Sequence, residues 1–550
     1  MKVVIVGGVA GGASAAARLR RLDEHADIVM LERGGYISFA NCGLPYYVGG
    51  SIEDRDDLEL QTPDSFKARF NIDTRIHSEA TGIDRAKKTV EIKDVNSGNV
   101  YTEPYDKLIL ATGAKAVALP VEGMSNPKVF MVRTIPDAIR VREFIDAEKP
   151  SSAVVVGGGY VGLEMAENLK DAGLDVTIVE AADHCITAID YDMACDVHNY
   201  LRESGFGLLL SNGLKAIHDS GGKLKIELQD GELQADMAIV AAGVKPDTGI
   251  AAEAGLDLNA RGAIIVDDHM RTSDEDIYAV GDAIEITEVV TGQRGYIPLA
   301  GPANRQGRIA ADNICGFGST YKGSQGSAVV KILDMTVAAT GLTETAAKAK
   351  GLDYDKAFTF SASHAGYYPG GTDMSVKTVF EKKTGRILGA QIVGFRGVDK
   401  RCDVLAVAIR AGMTASQLTE LELCYAPPFS SAKDPVNFAG FVIENCLTGK
   451  MKQFHWHDVD DLPADGSVTL LDVRTPAEYK GGHIPGFINI ELDSLRERID
   501  ELDNSKPAYV HCRSGLRSYL ACRILEQRGF DCYNLSGGYR LYEAINRNEQ

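Results

Sequence analysis

The chain has 550 residues, 45% hydrophobic and 25% charged, a composition that excludes wholesale disorder and a fibrous chain. At roughly 150 residues per domain it holds about three or four domains. Its 58 basic and 77 acidic side chains leave a net charge of −19, which argues against nucleic-acid binding through phosphate contacts.

The N-terminus runs straight into KVVIV (2–6), a buried-strand pattern with no signal-peptide character ahead of it. The glycine turn GGVAGG (7–12), the helical stretch ASAAARLRRL and the strand IVMLE (28–32) complete a βαβ unit. Gly7 and Gly12 fit a dinucleotide-binding turn, Val9 departs from it at the middle place, and Glu32 closes the unit. The same pattern returns at AVVVGGGYVGLEMAENLKDAG, which leads into DVTIVE (175–180). There Gly157, Gly159 and Gly162 have the full spacing, and Glu180 lies 18 residues beyond. Such glycines permit a tight turn and close approach of backbone to a pyrophosphate, and the following helix offers free N–H groups to it. An acid at 180 accepts from ribose hydroxyls and repels a 2′-phosphate, so NADH is expected over NADPH.

LILATGA (108–114) and MAIVAAGVKP (237–246) read as the strands that end each unit, and DIYAVGDA (276–283) as a strand followed by Gly281-Asp282. Two dinucleotide units in one chain point to a flavin in the first and a nicotinamide in the second. Asp282 is then a candidate partner of the flavin's ribityl or phosphate groups. From about 326 to 446 the pattern turns to antiparallel strands (VVKILDMTVAATG, VKTVFEKKTGRILGAQIVG) and two helices (DVLAVAIRAGMTASQLTELEL), an α+β domain. After a short polar linker, VTLLDVR, PAYVHC and DCYNLSGG alternate with helical stretches, as in a small parallel α/β domain.

The ten cysteines are scattered, without CxxC or any zinc or iron–sulfur spacing, so a reducing cytoplasm and no metal site are expected. No apolar run is long enough to span a bilayer, and no membrane insertion is expected.

Over residues 1–445 the glycine turns, Ala111-Thr112-Gly113 and Gly281-Asp282 resemble the pyridine nucleotide–disulfide reductase superfamily. SFANCGLPYY (38–47) is similar to its single-cysteine branch of coenzyme A–disulfide reductases, NADH oxidases and NADH peroxidases. No second cysteine follows Cys42 closely, so the chemistry requires a mixed disulfide or a sulfenate on one sulfur. A thiolate there needs nearby positive charge or donors. Peroxide-directed members carry a histidine where this chain has Ala10, which argues against a peroxidase. The resemblance implies FAD held by Gly7, Gly12, Glu32, Arg33, Thr112, Gly113, Arg133, Gly281, Asp282 and Ala300, and NADH held by Gly157, Gly159, Gly162 and Glu180. It also implies coenzyme A contacts at Ser14, Arg18, Arg21, Ser38 and Asn41, with Arg18 and Arg21 on one helix face as a phosphate clamp. Asn304, His364, Tyr367, Tyr368, Tyr425 and Lys433 resemble the residues that complete the site, in the C-terminal segments from a partner subunit of a homodimer. Tyr425 is the first candidate for a general acid and Tyr368 the second.

LLDVR (470–474), GHIPGFINI (482–490), HCRSGLRS (511–518) and LSGGY (535–539) resemble a rhodanese domain. Its loop would aim N–H groups at Cys512 and, with the helix dipole and Arg513 or Arg517, favour an anionic persulfide. A related loop can hold phosphate, but the stretch from Cys512 to Arg517 is similar to the shorter sulfur-carrying kind. Asp472 and Arg474 are expected to brace the domain.

The expected protein is therefore an α/β and α+β multidomain enzyme. Residues 1–115 and 245–325 form its FAD-binding and 116–244 its NADH-binding Rossmann-like domain. An α+β dimerisation domain spans 326–446, a linker 447–455, and an α/β rhodanese domain 456–550. The expected function is NADH-dependent reduction of a persulfide or polysulfide, with coenzyme A persulfide first, through Cys42 and a sulfane sulfur on Cys512. The alternatives are a coenzyme A–disulfide reductase with an independent sulfurtransferase domain, an NADH oxidase, and a redox-sensing sulfur relay. The partners expected are small sulfur compounds and coenzyme A.

Overall fold

A computed structural model describes residues 1–549, which fall into two compact units, 1–182 with 206–326 and 183–205 with the residues from 327 on. In the first unit, Lys2–Val6 is β-branched, buried and central in a five-stranded parallel sheet. Its strand order is Ile277–Ala279, Lys107–Leu110, Lys2–Val6, Asp27–Leu31, Asp73–Arg75. A second parallel sheet repeats the plan in the order Val129–Phe130, Met237–Val240, Ser152–Val156, Asp175–Val179, Gly207–Leu209. Burial on both faces explains why the central strands Lys2–Val6 and Ser152–Val156 are near-continuous apolar runs. Ala114–Ala116 pairs antiparallel with Val244–Pro246, so the two crossings between the Rossmann-like halves lie side by side.

The second unit holds a five-stranded antiparallel sheet in the order Ala328–Ile332, Met335–Gly341, Ile387–Gly394, Asp373–Glu381, Tyr354–Ala362. The helices Val398–Arg410 and Pro435–Leu447 pack on it. The C-terminal sheet is parallel, in the order Lys452–Phe454, Cys532–Leu535, Ala508–His511, Thr469–Asp472, Ile488–Asn489.

Two boundaries differ from the sequence expectation. The helix Tyr191–Glu203, in the stretch assigned to the NADH-binding domain, belongs to the second unit. The helix packs there on the strand Ile387–Gly394 and on the C-terminal helix Gly538–Glu549, and at its start Lys377, fully buried, lies 3.0 Å from Asp190, 2.8 Å from Asp192 and 2.8 Å from Glu344. Lys452–Phe454, in the expected linker, is an edge strand of the C-terminal sheet because it pairs with Cys532–Leu535. Around it the C-terminal domain is tied to the antiparallel sheet. Gln453 donates to the Lys356 carbonyl (2.8 Å), His455 meets Asp355 (3.3 Å), the Phe358 N–H donates to the Ser536 hydroxyl (3.3 Å), and Arg540 pairs with Asp373 (3.0 Å). Among the described residues no helix is long and apolar enough to cross a membrane.

Candidate active site

The two glycine turns are built alike. Gly7 and Gly157 have φ of +103° and +112°, a region that favours glycine. A Cβ on Gly12 would lie 1.9 Å from the Gly7 carbonyl oxygen, and one on Gly162 1.9 Å from that of Gly157, so each helix packs on its strand only without a side chain there. The middle place is different. A Cβ on Gly159 would meet no protein atom, and its φ is −77°. Val9 therefore fits the corresponding position, at φ −101°, without strain.

Each terminal acid braces its own turn. Glu32 accepts from the N–H groups of Gly8 (3.0 Å) and Gly34 (2.8 Å), and Glu180 from those of Gly158 (2.6 Å) and Ala182 (2.8 Å). Further carboxylate lone pairs remain for ribose hydroxyls. The helices Ala10–Leu22, Tyr160–Asp171 and Ala300–Ile314 begin with neither a side-chain cap nor an acid in the first turn, which leaves N–H donors for phosphates. Thr112 donates to the Asp247 carbonyl at 2.5 Å, Arg33 pairs with the Asp247 carboxylate at 2.8 Å, and Gly113 has φ +69°. Asp282, after Gly281, pairs with Arg133 at 3.2 Å. Turn, acid and open helix ends fit a dinucleotide in both halves.

Cys42 is exposed, in the single 3-10 turn Asn41–Gly43 ahead of the helix Leu44–Gly49. Ser38, at φ +44°, takes a left-handed conformation rare for a residue with a Cβ, and its N–H donates to the Gly8 carbonyl at 2.8 Å. That bond ties the cysteine segment to the first glycine turn. With its amide oriented to satisfy both groups, Asn41 donates to the Arg133 carbonyl (2.9 Å) and accepts from the Arg133 guanidinium (3.2 Å). The positive charge expected near Cys42 is thus Arg133, but it is outweighed: lost hydration first, then Glu164, raise the thiol above its ordinary value, and Asp282 adds to them. Burial and the neighbouring Glu167 push Glu164 up to about 7, while a hydrogen bond from Tyr46 acts the other way. Tyr46 is itself pushed up to about 12, chiefly by burial. Glu164 and Tyr46 were missed from sequence, although Tyr46 stands one helical turn beyond Cys42.

Ser14, Arg21, Ser38 and Asn304 line one cavity of about 370 Å³ together with Gln61, Phe66, Arg69, Phe70 and Arg308. The hydroxyl of Ser14 bonds the Asn304 side chain. Arg18 does not line this cavity; it is held by Asp312 at 2.7 Å. The basic groups at the cavity are Arg21, Arg69 and Arg308, of which only Arg21 was anticipated.

In the second unit, the Tyr367 and Tyr425 hydroxyls are 2.9 Å apart and both rings are exposed. Tyr367 is thus the hydroxyl neighbour of Tyr425. Tyr368 instead meets the buried His364 edge-on at 5.6 Å. Lys433 is exposed. Buried Arg401 donates to Asp434 (3.0 Å), Ser430 (3.0 Å) and the Ser363 carbonyl (3.1 Å), which pins the two tyrosine-bearing segments together.

Cys512 is buried where the Ala508–His511 strand turns into the Leu516–Glu526 helix. Its sulfur accepts from the Gly515 N–H at 3.1 Å and from the Ser518 hydroxyl at 3.3 Å. Gly515 has φ +97°, which turns its N–H inward. Arg517 is paired through both terminal nitrogens with Glu478, at 2.7 Å each. That bond, more than any other contact, depresses the Glu478 carboxyl to about 2. Arg513 is exposed. Beneath the loop, buried Asp472 and Arg474 pair at 2.6 Å, and burial keeps His511 neutral by lowering it to about 4. The cradle offers donors to a sulfur anion.

The model of the pyridine nucleotide-disulphide oxidoreductases matches residues 1–307, that of their dimerisation domain 327–435, and that of rhodanese-like domains 455–545. An NADH oxidase of Methanocaldococcus jannaschii is 37% identical over 444 residues (80% of this chain, 98% of the relative), and a coenzyme A disulfide reductase of Staphylococcus haemolyticus 34% over 441 residues (80% and 98%). The reduced Bacillus anthracis CoADR-RHD structure is 46% identical, with TM-score 0.97 and coverage of 99% of this chain and 98% of that one. A NAD-dependent persulfide reductase structure from A. fulgidus is 40% identical, with TM-score 0.92 and coverage of 98% and 100%.

Proposed function

The chain belongs to the pyridine nucleotide-disulphide oxidoreductase family, an oxidoreductase with an appended rhodanese domain, and from that premise we propose that it reduces persulfides with NADH, coenzyme A persulfide foremost. The observation that carries this is the pairing of two single-sulfur sites on one chain. Cys42 is a lone exposed thiol beside a flavin-type glycine turn, and Cys512 is a buried sulfur held by hydrogen-bond donors. The persulfide reductase relative spans the same two parts.

Bound FAD supplies the passage of two electrons from NADH to sulfur on Cys42. Glu32, Asp282 and the turn at Gly7–Gly12 hold it; Glu180 and the turn at Gly157–Gly162 hold NADH. The Cys42 thiolate attacks the outer sulfur of RS–SH, forming Cys42–S–SH and releasing RS⁻, which Tyr425 protonates to the thiol. Two electrons and a proton then break the Cys42–S–SH bond, freeing hydrogen sulfide and restoring the thiolate. The sum is RSSH + NADH + H⁺ → RSH + H₂S + NAD⁺. Arg21, Arg69 and Arg308 receive the phosphates of coenzyme A, for which guanidinium forks are suited. The exposed Tyr367–Tyr425 pair serves the site of a second subunit in a homodimer. Cys512 carries sulfane sulfur from a donor to coenzyme A or Cys42.

The test is anaerobic NADH oxidation with sulfide measured in parallel, on coenzyme A persulfide, polysulfide and coenzyme A disulfide. Turnover of the persulfide with stoichiometric sulfide, abolished in Cys42→Ser, is expected. Faster turnover of the disulfide, without sulfide, would replace this function by coenzyme A–disulfide reduction, which the same arginine cavity also suits. Equal polysulfide activity in Cys512→Ala would remove the sulfur-carrying step.

A further inference from the structure

The proposed reaction gives no task to the helix Gly538–Glu549, which touches both the Cys512 loop and the antiparallel sheet of the second unit. At its start the Tyr539 N–H donates to the Cys512 carbonyl and the Arg540 N–H to the Arg513 carbonyl, each at 2.8 Å. The approach is close: a Cβ on Gly538, at φ +59°, would lie 2.6 Å from the Cys512 oxygen and 2.9 Å from the Arg513 carbonyl carbon. The Arg540 side chain turns to the sheet, where its guanidinium pairs with Asp373 at 3.0 Å and stands over the Phe360 ring at 4.5 Å. Asp373 opens the strand Asp373–Glu381, and Phe360 lies on the neighbouring strand Tyr354–Ala362. Towards the far end of the helix, Asn199 donates to the Ala544 carbonyl (3.1 Å) and Asn548 to the Cys195 carbonyl (3.3 Å). Arg540 thus bonds the sulfur loop through its backbone and the sheet through its side chain.

We propose that Arg540 is a positioning residue for sulfur transfer: clamped by Asp373 and Phe360, it holds the carbonyls of the Cys512 loop turned away from the sulfur. The inference rests on Cys512 carrying sulfane sulfur. The peptides of this loop are trans, and a trans peptide points its N–H opposite to its C=O. Fixing the Cys512 and Arg513 carbonyls on the helix therefore turns the N–H groups of Arg513 and Ser514 away from it. Among the described residues neither N–H meets an acceptor, and the next one, of Gly515, reaches the sulfur at 3.1 Å. These donors are free to receive the outer sulfur of a persulfide anion. With the helix lifted, either peptide can turn over and present a carbonyl oxygen in place of an N–H, which opposes an anion there.

Both halves of a transfer depend on that anion. The Cys512 thiolate attacks the outer sulfur of thiosulfate, the S–S bond breaks, sulfite leaves with the bonding pair, and Cys512–S–S⁻ remains. Cyanide then takes the outer sulfur as thiocyanate and returns the thiolate. The charge at Cys512 is present before and after each step, so the loop must keep its donors inward throughout. The antiparallel sheet, through Arg540, is the outer support of this arrangement.

The experiment uses the full-length, FAD-loaded enzyme with Arg540→Met, Arg540→Lys, Asp373→Asn and the Arg540→Met/Asp373→Asn double variant. Two quantities are read: thiocyanate formation from thiosulfate and cyanide, and iodoacetamide alkylation of Cys512 across roughly pH 5 to 10, with the site identified by peptide mass. Arg540→Met should slow thiocyanate formation about tenfold and move the Cys512 alkylation midpoint upward, because the thiolate loses donors. Asp373→Asn should do the same to a lesser degree, since the Phe360 contact stays. Arg540→Lys, which keeps the ion pair, should recover most of the rate. The double variant should be no slower than Arg540→Met, because both substitutions remove one interaction. A wild-type rate and midpoint in Arg540→Met would overturn the proposal, as would a double variant slowed by the product of the two single effects. Should Arg540→Met fail to fold, wild-type values in Asp373→Asn would overturn it equally. A wild type that forms no thiocyanate would instead overturn sulfur carriage by Cys512, and the alkylation midpoints would still decide the role of Arg540.

Discussion

Replacing Glu478 by glutamine removes the carboxylate that holds Arg517 beside Cys512. Both Glu478 oxygens accept from Arg517 at 2.7 Å, and the carboxyl is depressed from 4.5 to about 2. Each pK unit corresponds to about 1.4 kcal/mol. The side chains are 33% and 27% exposed, so solvent screening reduces the full value to about 1–2 kcal/mol. The carboxyl is depressed in the folded state, so this stabilisation is complete above pH 4.5 and is lost as pH falls through about 2. Urea unfolding of the C-terminal domain should therefore show the variant less stable by about 1–2 kcal/mol at pH 7, with the gap closing as the medium is acidified. Arg517, released, no longer keeps a fixed place at the Cys512 loop, and thiocyanate formation from thiosulfate and cyanide should slow by about tenfold, the equivalent of about 1.4 kcal/mol. Equal stability at every pH together with an unchanged rate would refute the positioning of Arg517 by Glu478.

Gly162→Ala should weaken NADH binding by at least about tenfold in calorimetric titration, because the new Cβ overlaps the Gly157 carbonyl and forces the helix off the pyrophosphate turn; an unchanged Kd refutes that geometry. Lys377→Met takes the lysine from two buried carboxylates, Asp190 and Asp192, and should cost about 3–5 kcal/mol in urea unfolding of the second unit, with a loss under about 1 kcal/mol counting against the cluster as its anchor. Tyr425→Phe should lower kcat for persulfide by about 100-fold, and Tyr367→Phe should do less, since Tyr367 acts through its bond to Tyr425; equal kcat in both variants and the wild type would remove the pair from the reaction.

The strand–turn–helix repeats were legible in the sequence because their causes are local. Buried parallel strands need apolar runs, and Gly7 and Gly157 need a left-handed φ, all within a few residues. The Cys512 loop was legible for the same reason, since its Gly515 N–H lies three residues from the sulfur it serves. Side chains whose partners are remote were not. Arg18 and Arg21 look equivalent on one helix, but Asp312, 294 residues away, claims Arg18 and leaves Arg21 to share the cavity with Arg69 and Arg308. Tyr367 and Tyr368 are adjacent in one stretch, and nothing in that stretch tells which hydroxyl meets Tyr425, 58 residues on. Lys452–Phe454 has no strand pattern of its own and becomes a strand only by pairing with Cys532–Leu535. The helix Tyr191–Glu203 finds its partners far along the chain, in Lys377, 185 residues from Asp192, and in the C-terminal helix.

The bonds around the Lys452–Phe454 strand bear on how the two halves can be taken apart. Ending the chain at residue 446 looks like a clean way to obtain a reductase without its sulfurtransferase. It would instead strip Gln453 from the Lys356 carbonyl, His455 from Asp355 and Ser536 from the Phe358 N–H, and uncover the edge strand Tyr354–Ala362. Lost turnover in such a fragment would then report damage to its scaffold as much as the absence of Cys512. A point substitution at Cys512 separates the two chemistries; a truncation confounds them.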